Sequence, residues 1–307
     1  MSTAGARVAV VGSVNLDLVA RVRSFPRAGE TVLGSDYEEV PGGKGLNQAR
    51  GAVRRVPTSL VAAVGDDAVG DRVVASAAGH GLDVEGVHRA PGLTGRALIT
   101  VEPDGENVIV VAPLANGALE PAHVRAELDR TEPHAVLVQH EVATAVLDEA
   151  AAWCREHGAR FVFNVSPVRD VPAELLAAGD PLVVNAAEGL AVLRAAEARR
   201  PVGTPGERTA GREGGAWRPA DVAGRLVEHA RSVVVTAGGA GAFVADAEGV
   251  RHVPSTTRVV ALDTTGAGDE FAGVLAAELA GGASLLDAAS AANDAAGALV
   301  QVPRAER

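Results

Sequence analysis

The sequence predicts an α/β protein with a doubly wound, mostly parallel central sheet flanked by helices and a small separate β-sheet standing off it. Three observations predict it. From residue 135 onward, short apolar runs alternate with stretches of helical period: strand 135–139 and helix 143–157, strand 160–165 and a short helix 173–178, strand 182–184 and a helix from 186. This is the pattern of right-handed βαβ units. Second, the extended runs 96–101 and 107–112, joined by Glu102-Pro103-Asp104-Gly105-Glu106, read as a hairpin with an Asp-Gly turn and stand outside that alternation. Third, in 261–271 an apolar strand end passes through Gly266-Ala267-Gly268 to Asp269 and a helical pattern over 271–280.

The remaining elements follow in chain order. Residues 7–14 form a β-branched run of the buried parallel kind. Asn15 and Asp17 come directly after it, and ligands of open α/β sheets sit beyond the carboxyl ends of strands. The pair suits sugar hydroxyls, or plain turn chemistry. Residues 31–40 read as extended and half polar, a second piece of the accessory sheet. Pro41-Gly42-Gly43-Lys44-Gly45 leads into a helix over 46–55 with Asn47 in its first turn. Glycines packed around one lysine mark a close approach to a ligand, or a loop with a solvated lysine.

Strand 60–64, the turn Gly65-Asp66-Asp67 and helix 68–78 come next. Polar residues again follow strand ends at Glu141, Asn164 and Asn185. Asn185 and Glu188, three apart, share a helical face. Glu188 suits a Mg²⁺-bound water, or the helix dipole alone. Residues 199–219, rich in Gly, Pro, Arg and Glu, read as a surface insertion. Helix 221–230, strand 232–236, the turn 238–241, a hairpin of 242–245 with 250–253, and one or two Ala-rich helices over 284–302 complete the chain.

Composition narrows the function. The chain has 307 residues, a net charge of −11 and 47% hydrophobic residues. Adjacent basic residues occur only in pairs such as Arg199-Arg200, so neither nucleic acid nor an anionic membrane is the expected partner. Aromatics at 3% leave little for a base-stacking surface. One cysteine, Cys154, falls in a helical pattern and reads as core filler. No apolar run approaches a membrane span and 1–6 carry no signal-like stretch, so a soluble cytoplasmic protein is expected.

The stretch at 261–271 carries the chemistry. Glycines ahead of a helix gather backbone N–H groups on an anion, and the helix dipole adds to their field. A carboxylate on that turn, Asp269, suits removal of a proton from an attacking hydroxyl. The same residues also read as a Gly-rich strand-to-helix turn with an acidic first turn. They are not a Walker A loop, which ends in Gly-Lys-[Ser/Thr], nor a dinucleotide fingerprint, since Phe271 stands at the third glycine.

Four pieces in this order, Gly12-Ser13-Val14-Asn15-Leu16-Asp17, Pro41 to Ala49, Asn185-Ala-Ala-Glu188 and Asp263 to Asp269, resemble the ribokinase-like family of carbohydrate kinases over about 8–300. The resemblance implies one ribokinase-like kinase domain over 1–307, its lid built from about 15–42 and 95–113. It implies transfer of the ATP γ-phosphoryl to the 5-hydroxyl of D-ribose with Mg²⁺. At matching positions, Asp269 would be the general base, and Gly266, Ala267 and Gly268 the anion hole. Asn15, Asp17, Gly43, Lys44, Asn47 and Glu141 would hold the sugar. Asn185, Thr236, Gly238, Gly241 and Gly268 would line the ATP site, with Asn293 near the adenine. Glu188 would organise Mg²⁺ through water. Asp263 and the Thr265 carbonyl would bind a monovalent cation, K⁺ being the usual one. A homodimer through the lid is implied as well.

Another sugar or nucleoside kinase of the family, or a sugar-binding regulator without catalysis, are the rival readings. The chain departs from the family pattern at Leu114-Ala115-Asn116, where Gly-Ala-Asn is common. It departs again at Asn164-Val165-Ser166-Pro167, in the long insertion, and at Val302-Pro303-Arg304-Ala305, near the family's cation site.

Overall fold

The computed structural model describes residues 5–199, 217–256 and 262–302. Nine strands form the main sheet: β1 (Val8–Val11), β4 (Thr58–Gly65), β5 (Val87–Ala90), β8 (Ala135–Gln139), β9 (Arg160–Asn164), β10 (Leu182–Asn185), β11 (Val233–Thr236), β12 (Ala242–Asp246) and β13 (Gly249–Val253). Their order is β13-β12-β11-β10-β9-β8-β1-β4-β5. All pairs are parallel except the β11–β12 and β12–β13 pairs at one edge. Four further strands, β2 (Asn15–Arg21), β3 (Asp36–Gly42), β6 (Gly95–Val101) and β7 (Asn107–Ala112), make a separate sheet in the order β3-β2-β6-β7.

Valine-rich runs become central strands because both of their faces are covered. In β1, Val8 and Val10 point into one apolar layer and Ala9 and Val11 into the other. The first layer lies under α1 (Lys44–Val53), α2 (Ala68–Gly79), α8 (Ala267–Ala280) and α9 (Leu285–Leu299). The second lies under α3 (Pro121–Thr131), α4 (Thr144–His157), α5 (Ala173–Ala178), α6 (Ala186–Ala198) and α7 (Pro219–Leu226). Cys154 is buried there, and burial pushes its thiol up to about 12, which leaves it inert at neutral pH. Among the described residues no helix is long and apolar enough to cross a membrane.

Several elements differ from the sequence-based expectation. Strand β5 and helix α3 were not foreseen. β5 is a sheet-edge VHRA segment with two exposed residues, so it shows neither alternation nor an apolar run. α3 buries only Val124 and Leu128 on one narrow stripe. β3 starts at Asp36 rather than 31, and Asn15 and Asp17 lie within strand β2, not in a turn after β1. α1 starts two residues early, at Lys44, behind N-cap Gly43. α7 covers Pro219–Leu226 instead of 221–230, and the tail is a single helix. α8 starts at Ala267, so Asp269 lies in its first turn. The expected strand end at residue 261 and most of the 199–219 insertion lie outside the described residues.

Two polar hubs join the small sheet to the main body. Asp67, N-cap of α2, accepts from Gly70 N (2.8 Å), Thr94 Oγ1 (2.6 Å), Thr94 N (3.3 Å) and Arg96 (3.0 Å). Burial alone would raise its carboxyl; these donors outweigh that and hold it down to about 2. Buried Asn116 accepts from Val14 N and donates to Val14 O, fixing the β1–β2 junction. It belongs to a 3₁₀ turn whose first residue, Leu114, sits at φ 47. A non-glycine residue there costs about 1–2 kcal/mol, and glycine's extra chain entropy offsets about 0.5–1 kcal/mol of that. Leu114→Gly is therefore expected to raise stability slightly, read as a higher Tm; a lower Tm would show that the half-exposed Leu114 side chain contributes more than its backbone strain costs.

Candidate active site

The site lies where the N-termini of α1 and α8 meet the carboxyl ends of β1 and β8 under the small sheet. Gly43, at φ 91, ends β3's course and caps α1. A Cβ there would lie 2.9 Å from Asn15 N and from Ser13 O, so only glycine lets α1 start against the 13–15 backbone. That close approach places Lys44 and Asn47 over the first turn of α8.

Asp269 is buried, 9% exposed, in that first turn. Its Oδ1 accepts from Gln48 Nε2 at 3.0 Å and lies 4.0 Å from Lys44 Nζ; its Oδ2 accepts from Asn47 Nδ2 at 3.4 Å. The Asp269 carboxylate raises the Lys44 ammonium above its ordinary value; burial opposes this, and Glu141 and Glu188 add to the rise. A lysine so placed is charged at neutral pH. Gly266, at φ 79, is the N-cap of α8, and among the described residues no side chain caps that end. Ala267 N donates to Thr264 O at 3.2 Å. The first-turn amides at Gly268 and Asp269 have no intrahelical acceptor, as at any helix start, and suit an anion.

On one side of Asp269 stand the expected sugar ligands. Asn15 and Asp17 are buried at the root of β2. Asn15 Oδ1 accepts from Asn116 Nδ2 at 2.8 Å, which turns the Asn15 amide nitrogen the other way. The Asp17 carboxylate lies over Gly42, where a Cβ would come within 2.4 Å of Oδ2. Glu141 accepts from Ser13 Oγ and from Lys44 N (3.4 Å). Ser13, Gln48, Asn116 and Gln139 were given no role from the sequence, although the first three fall within stretches quoted there. Gln48 stands inside the Gly-Gly-Lys stretch and Gln139 ends an apolar strand, and that placement was their only signal.

On the other side stand the expected nucleotide ligands. Asn185 and Thr236 are register partners on β10 and β11. Asn185 and Glu188 close a capping box on α6: Asn185 Oδ1 accepts from Glu188 N at 2.8 Å and Glu188 Oε2 from Asn185 N at 2.9 Å. Gly238 and Gly241 bracket a 3₁₀ turn after β11. A Cβ on Gly241 would meet Val253 O at 2.3 Å, and Asn293 Nδ2 donates to that same carbonyl at 3.0 Å, so these two share one corner. Asp263 Oδ1 accepts from Thr265 N at 2.8 Å, and the Asp263 segment is tied to Val300 O. Pro303 and Arg304 lie outside the described residues.

A buried carboxylate, a lysine beside it and an open helix N-terminus, set between the groups expected to meet a sugar and those expected to meet a nucleotide, suit a small-molecule phosphotransferase. The family profile described as pfkB family carbohydrate kinase matches residues 6–307, and the chain belongs to that family. It is 30% identical to the ribokinase of Lactococcus lactis over 284 residues, 92% of this chain and 86% of that one. The crystal structure of ribokinase from Thermotoga maritima superposes with a TM-score of 0.82 at 27% identity, over 97% of this chain and 93% of that one. That of Cryptococcus neoformans ribokinase in complex with ADP gives 0.77 at 28% identity, over 97% and 94%. The chain is thus a carbohydrate kinase, of a kind that uses ATP with a divalent metal.

Proposed function

We propose that this kinase phosphorylates D-ribose at its 5-hydroxyl, giving D-ribose 5-phosphate and ADP. One observation carries the reading: Asp269 is gripped by Lys44, Asn47 and Gln48 at the open N-terminus of α8, between the sugar-side and nucleotide-side groups. Asn15, Asp17, Gly43, Lys44, Asn47 and Glu141 hold the sugar. Asp269 takes the proton of the attacking hydroxyl, and the Gly266–Gly268 turn stabilises charge on the transferring phosphoryl. Asn185, Thr236, Gly238, Gly241, Gly268 and Asn293 hold ATP.

The donor set fits Mg²⁺: Glu188 uses one carboxylate oxygen in its capping box and keeps the other for a metal-bound water. The metal, when bound, neutralises charge on the phosphates. Asp263 and the Thr265 carbonyl offer hard oxygens to K⁺, which would stiffen the backbone of the anion-binding turn. Exposed Leu98, Val108, Ile109 and Val110 on β6 and β7 support a homodimer through the small sheet; a monomer in sedimentation at micromolar concentration would contradict that.

A nucleoside kinase needs an apolar or aromatic wall for its base. The aromatics of the lid segments are Phe25 and Tyr37, the latter exposed with its hydroxyl donated to Glu39, and this favours a sugar. Intact Asp269 and Glu188 speak against a non-catalytic regulator. The test is coupled ADP release across ribose, deoxyribose, fructose and several nucleosides, with and without KCl at constant ionic strength. Ribose is expected to give the highest kcat/KM and KCl to raise it. A better nucleoside substrate would overturn the sugar assignment, and equal rates without K⁺ would overturn the ion site.

A further inference from the structure

Behind Asp269 runs a buried row of side-chain amides. Gln48, fully buried on α1, donates Nε2–H to Asp269 Oδ1 and to Asn164 Oδ1, each at 3.0 Å. Its Oε1 accepts from Gln139 Nε2 at 2.7 Å. Asn164 Nδ2 donates to the Val183 carbonyl at 3.0 Å. The orientation of every amide follows from that last contact. A backbone carbonyl can only accept, so Asn164 must turn its nitrogen to Val183 and its oxygen to Gln48. Gln48 must then present its nitrogen to Asn164, and hence to Asp269, and its oxygen to Gln139. Gln139 must donate in turn, and its own Oε1 is buried without a partner among the described residues. It is pressed against Gly12, where a Cβ would come within 1.8 Å. The donors therefore run in one direction, from Gln139 to Gln48, and fork there to the Asp269 carboxylate and, through Asn164, to the Val183 carbonyl.

Helix packing is shaped to let it reach. A Cβ on Gly273 would lie 2.2 Å from Gln48 O, so α8 can close on α1 at this turn only with glycine there. The ion pair of Arg54, at the end of α1, with buried Glu270 also ties the same two helices.

We infer that Gln48 is a positioning residue for phosphoryl transfer, and that Gln139 acts through it. The inference rests on Asp269 being the general base. With Oδ1 held by Gln48, the carboxylate cannot rotate, and Oδ2 is the oxygen aimed at the incoming hydroxyl. If the Gln48 amide turned over, its carbonyl would face two acceptors, the Asp269 carboxylate and Asn164 Oδ1. Gln139 makes that state unfavourable by donating to the Gln48 oxygen.

The test measures kcat, KM for ribose, KM for ATP and Tm in Gln48→Met, Gln139→Met, the double variant and Asp269→Asn. Gln48→Met is expected to lower kcat by about tenfold or more, since small misplacements of a reacting group cost up to ~10² in rate, with both KM values within about twofold. Gln139→Met should lower kcat less, and should add nothing in the Gln48→Met background. A purely structural role would lower Tm and leave kcat in place. Full kcat in Gln48→Met while Asp269→Asn is inert overturns the positioning role and leaves the base intact. High activity in Asp269→Asn overturns the base and this inference with it. If Gln48→Met does not fold, folded Gln139→Met decides alone: unchanged kcat overturns the inference, and reduced kcat at constant KM supports it.

Discussion

Asp269→Asn is expected to lower kcat with ribose and ATP by roughly 10²–10⁴, the usual worth of general-base catalysis. The substitution keeps shape and volume, so the packing of α8 against α1 survives. Gln48 Nε2 can still donate to the remaining side-chain oxygen, whereas Asn47 Nδ2 and Lys44 then face an amide nitrogen or a neutral oxygen. What is removed is the proton acceptor. The loss should fall on kcat, because the carboxylate acts on the hydroxyl as it attacks, and the nucleotide should bind as before. A fall of less than about tenfold would mean that the hydroxyl loses its proton elsewhere, directly to the phosphoryl or to water.

Asp17→Ala is expected to raise KM for ribose by about 10–100-fold, with KM for ATP within about twofold. The side chain is 6% exposed at the root of β2, against Gly42 and two strand residues from Asn15. Hydrogen bonds to a charged partner are worth about 1.5–3 kcal/mol each. A sugar left with unpaired hydroxyls under the small sheet loses that amount. Equal weakening for ribose and ATP, with a lower Tm, would instead make Asp17 a residue that holds the β2–β3 pair together.

The central strands were legible because their residues obey one rule: buried on both faces, they are apolar, as in VAVV of β1 and the three valines 233–235 of β11. β5 breaks that rule at a sheet edge and was not legible. The 266–269 turn was legible because glycine before a helix and an acid within it carry local meaning. Asn185 and Glu188 were legible as a pair at helical spacing, and their capping box is the local chemistry that such spacing also encodes. Gln48 and Gln139 were not. They are 91 residues apart, and Gln48 meets Asp269 across 221 residues. A glutamine has no local signature, so its role exists only once α1, α8 and β8 are packed. Asn116 was hidden in the same way: it lies 102 residues from the Val14 backbone it fixes.

The most direct test of the central claim is the identity of the product. The protein is incubated with D-ribose, ATP and Mg²⁺, and ³¹P and ¹³C NMR locate the new phosphate ester. The account predicts a phosphate on the C5 oxygen of ribose, formed one for one with ADP and absent in Asp269→Asn. A phosphate on another carbon would place the wrong hydroxyl at Asp269. ADP formation without any sugar phosphate would contradict the account outright.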